Sequence, residues 1–501
     1  MRRLSFPLAL RAALAGGLAV AALLPGGCER GQPKKPPQET PAAALKLVIA
    51  DDPGMAKAIR QLQGEWKAHK QGGFEVAETT EAELLASKSL SSDAVIYPSY
   101  CLGTLAERGL IAPLPRSVLA GAELDWRDVF ETIQLSETAW GRTTYAVPFG
   151  SPLLTFCYRA DLFERFKRRP PETWTEYQEL AEFFGNREKL GDAAPEAEAA
   201  WSGTIEPLAD GWASRTLLAR AAAYAKHHDN YSTLFNVQSM EPLIAGPPFV
   251  RALEELVAAA KAGNPDQLKF TPEDVRRNFF EGRSAMALTW PSAAHESENA
   301  QPRKQPQGDK PQPSRSLLPH VQFEELPGSE KVYNTSDSRW EKRPRDEAKA
   351  IPLLAIAGRL GSVSRESAQP EAASRLLAWL SGSEWGTLVG SASRSTTLYR
   401  ASQLRRPGQW VEPGIDPKSA TQYAEAVERS LSRPVWLFAL RLPGREEYLA
   451  ALDKAVQQAV RDGRPAAEAL NDAVAAWREI TGRLGLEAQR LAYARSLGLE
   501  P

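Results

Sequence analysis

Leu45-Lys46-Leu47-Val48-Ile49-Ala50-Asp51-Asp52-Pro53-Gly54 joins an apolar run to a tight turn, and Met55, Ile59, Leu62 and Trp66 then recur at helical spacing. Residues 45–49 therefore read as a buried strand followed by a loop and a helix. The pattern repeats outward. Val76 opens a second short strand, residues 84–90 read as a helix, and residues 93–97 form a third strand running into Pro98-Ser99-Tyr100. Strands alternating with helices predict an α/β fold with a largely parallel sheet.

Upstream, Arg2, Arg3 and Arg11 precede an apolar and glycine run over residues 12–24, the charge order of an export signal. The run is too short to cross about 30 Å of hydrocarbon as a helix. It ends in Leu24-Pro25-Gly26-Gly27-Cys28, which resembles a bacterial lipobox, although Pro25 stands where that motif prefers leucine. Residues 1–28 are thus expected to be an export signal and Cys28 a lipidated anchor, with secretion without a lipid as the alternative. Residues 29–44, rich in proline, lysine and glutamine, read as a disordered tether.

A chain of 501 residues has room for two or three compact units, and its 43% apolar and 25% charged composition is that of a folded globular protein. A net charge of −1 supplies no field to gather nucleic acid. Beyond Cys28 the cysteines are Cys101 and Cys157, and their spacing leaves pairing or two buried thiols open. Further along, Thr173 is placed to cap a helix through Leu180, Ala181 and Phe184, with Glu176 as its capping-box partner. Residues 296–316 are a low-complexity insertion of Gln, Pro, Lys and Ser. From Arg445 onward, Leu449, Leu452, Val456 and Val460, then Leu470, Val474, Trp477 and Ile480, predict two or three closing helices.

Several segments are similar, in order, to the extracellular solute-binding proteins of ATP-driven importers, in the group with maltose- and other sugar-binding proteins. Trp140-Gly141-Arg142-Thr143-Thr144-Tyr145-Ala146-Val147-Pro148-Phe149-Gly150-Ser151, continuing through Tyr158-Arg159-Ala160-Asp161 to Thr173-Trp174-Thr175-Glu176, resembles that family's crossing from first to second lobe. Leu105-Ala106-Glu107-Arg108-Gly109-Leu110 resembles its helix and turn after the third strand. Phe279-Phe280-Glu281-Gly282-Arg283-Ser284-Ala285-Met286-Ala287-Leu288-Thr289-Trp290-Pro291 resembles the segment entering the cleft, and Leu376-Leu377-Ala378-Trp379-Leu380 the helix near the second crossing. The resemblance implies a two-lobed periplasmic-binding-protein fold with a hinge, a helical C-terminus and discontinuous lobes, 45–148 with 352–397, and 149–351 with 398–501. It further implies a monomeric, exported receptor, periplasmic or at the cell surface, that captures a mono- or oligosaccharide for a transmembrane permease without a cofactor. A secreted carbohydrate-active enzyme and a non-transport surface lipoprotein are the alternatives.

The chain offers no Gly-x-Ser-x-Gly elbow, no phosphate loop and no His-Glu-x-x-His. His227-His228-Asp229 is the one histidine cluster, and adjacent positions on a helix diverge too far to share a metal, so a solvated helix end is expected. Sugar recognition needs flat apolar faces and fixed polar groups. Tyr97, Ser99 and Tyr100 follow a strand, with Tyr97 equally readable as core. Trp290 stands where the resemblance implies a stacking aromatic. Phe149, Gly150 and Ser151 lie at the crossing, as hinge and hydroxyl partner or as a plain turn. Asp52 reads as an acceptor for a hydroxyl or as a helix cap, and Arg394 as an anion binder or a structural ion pair.

Overall fold

The structure is a computed structural model describing residues 44–70, 72–196, 200–294 and 317–500. The export signal, Cys28, nearly all of the tether and the 296–316 insertion lie outside the described residues.

In the first sheet the strand order is Phe74–Thr79, Leu45–Ala50, Ala94–Pro98, Arg359–Ser364, Ile111–Ala112, with Val147–Pro148 also on Arg359–Ser364. Leu45–Ala50 pairs in parallel with both neighbours, whereas Arg359–Ser364 is antiparallel to all three of its partners. A second sheet runs Val321–Glu324, Thr155–Arg159, Ser284–Thr289, Ser202–Ile205, and only its last pair is parallel. The sheets are therefore mixed, not largely parallel. The cause is connectivity. From Val147–Pro148 the chain passes directly into the second sheet, and it comes back as Arg359–Ser364 from the opposite end, so neither step is a right-handed crossover that would force parallel pairing.

Local chemistry explains most element ends. Asp52 caps the helix Pro53–Gln61 by accepting from the Met55 amide at 3.0 Å. Thr80 and Glu83 form a capping box that starts the helix at Glu81, and that helix stops at Ala86 rather than reaching residue 90. Serines at 87, 89, 91 and 92 follow, residues that favour turns over helix interiors. The Thr173–Glu176 capping box opens Trp174–Gly185 as the sequence indicates.

The core beside the second sheet contains Trp174, Tyr177, Trp290 and the helices Ala213–Ala225, Pro247–Lys261, Arg445–Asp462 and Ala466–Leu484. Three helices close the chain, the last being Leu486–Ser496. Every residue of Ala213–Ala225 is buried, including Arg215 and Arg220. Arg220 is neutralised by Glu206 at 2.7 Å, and Glu206 also accepts from the Tyr177 hydroxyl at 3.0 Å. The charged patch at 341–347 serves the same helix, because buried Arg343 donates to the Ala223 carbonyl in its last turn.

Candidate functional site

Loops leaving the two sheets face each other. From the first sheet come Asp52, Glu81, Ser99 and Tyr100, each just past a strand end; from the second come the segment 206–212 and Trp290. The helix starts at Arg215 and Arg445 complete the boundary. Tyr100 is the centre of contact. Its hydroxyl donates to Glu81 Oε2 at 2.7 Å, and the Arg445 guanidinium lies 3.6 Å from its ring centroid. Arg445 also bonds Glu446 at 2.8 Å and reaches Glu81 at 3.4 Å. Burial raises the Tyr100 phenol to about 12 against the pull of Arg215 and Arg445, so it remains a donor at neutral pH.

Arg215 lies 5.0 Å from the Tyr100 ring and 4.5 Å from the Trp212 ring. Asp453, on the helix Arg445–Asp462, accepts from the amides of Gly211 and Ser214 at 2.8 and 2.7 Å and so caps the helix that carries Arg215. Glu81, Tyr100, Arg215, Arg445, Glu446 and Asp453 line a cavity of about 520 Å³, the size of a small-molecule site.

Of the residues singled out in the sequence, Tyr100 alone lines this cavity. Asp52 is buried and caps its helix while its Oδ2 lies 2.9 Å from Arg359 Nε and accepts from Ser393. Tyr97 is wholly buried in the first core, its hydroxyl 2.6 Å from Ser362 Oγ, because alternate positions of a central strand point away from the loop end. Ser99 donates to the Ala357 carbonyl. Phe149 packs in the first core, and Ser151 donates to buried Glu137 at 2.8 Å. Gly150 sits at φ +119°, a conformation that favours glycine. Trp290 is 3% exposed, with its Nε1 donating to the Arg394 carbonyl at 3.0 Å and its ring 5.7 Å from Trp212. It backs Trp212 instead of standing as the exposed stacking face. Arg394 is ion-paired with Glu273.

Glu81, Trp212, Arg215, Arg445 and Asp453 were not legible as site residues. They come from three distant segments, none with a local motif. One weak signal existed: Gly444, in the left-handed region at φ +82°, marks the turn that places Arg445.

His227 corrects another expectation. It is 2% exposed rather than solvated, and its Nδ1 accepts from the Asp229 amide at 3.1 Å. Its Nε2 faces Glu341 at 3.3 Å. Ligand atoms of His227, His228 and Asp229 lie within 4.8 Å of one another, but a buried ring with both nitrogens engaged is a poor metal ligand. Cys101 and Cys157 are separate buried thiols, and burial pushes both thiols up, away from the reactive thiolate.

Solved structures share the architecture. A solute-binding protein of Agrobacterium radiobacter in complex with ribitol is 17% identical, covers 87% of this chain and 98% of its own, and superposes with a TM-score of 0.62. Maltose-bound MalE3 of T. maritima is 14% identical over 87% of this chain and all of its own, TM-score 0.61. The sugar-binding protein MalE of Xanthomonas citri is 15% identical over 88% and 98%, TM-score 0.63. No curated protein matches the chain by sequence. The family model for bacterial extracellular solute-binding proteins, which are binding proteins and not enzymes, matches residues 84–387. That match spans more than half of the chain and runs from the first sheet through the second and back, so the chain belongs to the bacterial extracellular solute-binding protein family.

Proposed function

We propose that this chain is the receptor subunit of an ATP-driven importer and holds a small polar solute of the sugar or polyol class in the Tyr100–Arg215 cleft. The observation that carries the reading is the cavity of about 520 Å³ bounded by the Tyr100 ring and Glu81 from the first sheet's loops and by charged groups of the segment after the second sheet and of the C-terminal helix. Ribitol, maltose and D-mannitol in the structural neighbours support the solute class. In this reading the first lobe takes residues 45–148 and 352–397 and the second 149–351 and 398–501. Support comes from Arg359–Ser364 pairing inside the first sheet and from the C-terminal helices packing in the core of the second. Gly150 and Ser151 then lie on one hinge segment, and closure brings Tyr100 onto Arg445. Cys28 carries the lipid that tethers the receptor at the membrane face.

A ligand at 100 times its dissociation constant adds about 2.7 kcal/mol of apparent stability. Melting curves with millimolar sugars and polyols should therefore rise by several degrees for at least one compound, with no product formed on long incubation. No rise with any of them would defeat the solute class. Palmitate labelling in a bacterial host should be lost in Cys28→Ala, and persistence of the label would remove the anchor.

A further inference from the structure

Among the described residues Arg215 is the buried arginine that donates no hydrogen bond. Each of the other buried arginines donates to a carboxylate or a carbonyl, as Arg220 does to Glu206, Arg276 to the Trp290 carbonyl and Arg400 to that of Leu124. Among the described residues nothing accepts a hydrogen bond from Arg215, although the residue is 8% exposed and its Nε is sealed from solvent. Asp453 attracts Arg215 through space only, its oxygens accepting from the Gly211 and Ser214 amides and neither of them from Arg215. Glu81 and Glu446 are engaged by Arg445.

A largely buried guanidinium whose N–H groups have no acceptor in the protein is disfavoured, and a neutral hydroxyl compensates it only in part. Its faces are occupied: Tyr100 and Trp212 lie against it, an arrangement that leaves the edge with its N–H fork directed toward the cavity that Arg215 lines. A fork of that kind matches a planar carboxylate with two parallel hydrogen bonds. Glu81, Asp210, Glu446 and Asp453 outnumber Arg215, Arg445 and Lys454 around the same cavity, so a second negative charge on the ligand is disfavoured. We infer that the solute carries a single carboxylate, as a sugar acid does, and that Arg215 is the residue that selects it. This rests on the reading of the cleft as the solute site.

The test is titration calorimetry and ligand-free melting of the wild type, Arg215→Gln and Arg215→Lys. Probes are D-galacturonate, D-glucuronate, D-gluconate and digalacturonate, their neutral counterparts D-galactose, D-glucose and sorbitol, and glucose 6-phosphate with inorganic phosphate. At least one carboxylate should bind the wild type ten or more times tighter than its neutral counterpart, and both variants should lose that binding at least tenfold. Arg215→Lys keeps the charge without the fork, so it reports even where the Gln variant folds poorly. A neutral sugar that binds wild type and variants equally overturns the inference and leaves the solute-receptor reading standing. Tighter binding of glucose 6-phosphate overturns the carboxylate assignment. Unchanged affinity with a lowered ligand-free melting temperature makes Arg215 a structural latch. No binding by any probe defeats both readings.

Discussion

Asp52 Oδ2 lies 2.9 Å from Arg359 Nε, both side chains less than one-tenth exposed, and the contact ties the end of the first strand to a strand more than three hundred residues later. Asp52 also caps its own helix and accepts from Ser393. One carboxylate thus fastens three segments of the chain. Removing either partner strands a buried charge, at a cost of about 3–5 kcal/mol. Arg359→Ala and Asp52→Ala should each lower the urea midpoint accordingly. A double variant losing no more than either single one would show the coupling directly.

Gly150 should tolerate no side chain. A Cβ there meets the Thr397 carbonyl and lies 2.9 Å from Thr396 Cβ, at a φ of +119°. Gly150→Ala is expected to lose roughly 2–3 kcal/mol in denaturant unfolding, more than the usual glycine-to-alanine effect, because clash and backbone strain add.

Trp290→Ala should behave as a core truncation. At 3% exposure, with its indole bonded to Arg394 and its ring beside Trp212, it should lose about 3–5 kcal/mol of ligand-free stability. Trp212→Ala, by contrast, removes a half-buried ring that packs on Arg215 at the cavity and should lower ligand affinity more than melting temperature. Calorimetry and melting of the two variants separate these roles.

Glu412 should make stability fall as pH rises. Burial lifts its carboxyl from 4.5 to about 7 against the pull of Arg276, 3.0 Å away, and its Oε2 has no donor. Between these values the folded chain holds the proton and the unfolded chain does not. The linked stabilisation is therefore complete below pH 4.5 and lost as pH passes through 7, about 3 kcal/mol in all. Melting from pH 5 to 8 should fall more steeply in the wild type than in Glu412→Gln.

What the sequence determined by itself is the local order of the chain. The apolar run from Leu45, the turn at Asp51-Asp52-Pro53-Gly54, the Thr173–Glu176 capping box and the closing helices were legible because strand period, helix period and capping depend on neighbours a few residues apart. The ordered family segments carried the two-sheet architecture for the same reason. Direction of pairing was not legible, since Arg359–Ser364 contains nothing that states which end of the sheet it enters. Nor was the difference between Tyr97 and Tyr100. Both are tyrosines at one strand end, yet one side chain points into the first core and the other meets Arg445 from the C-terminal helix. Arg215 and Arg220 share one buried helix, and only the position of Glu206 neutralises the second and leaves the first for the cleft. Contacts between segments hundreds of residues apart decided the site, because burial and charge pairing are properties of the packed whole.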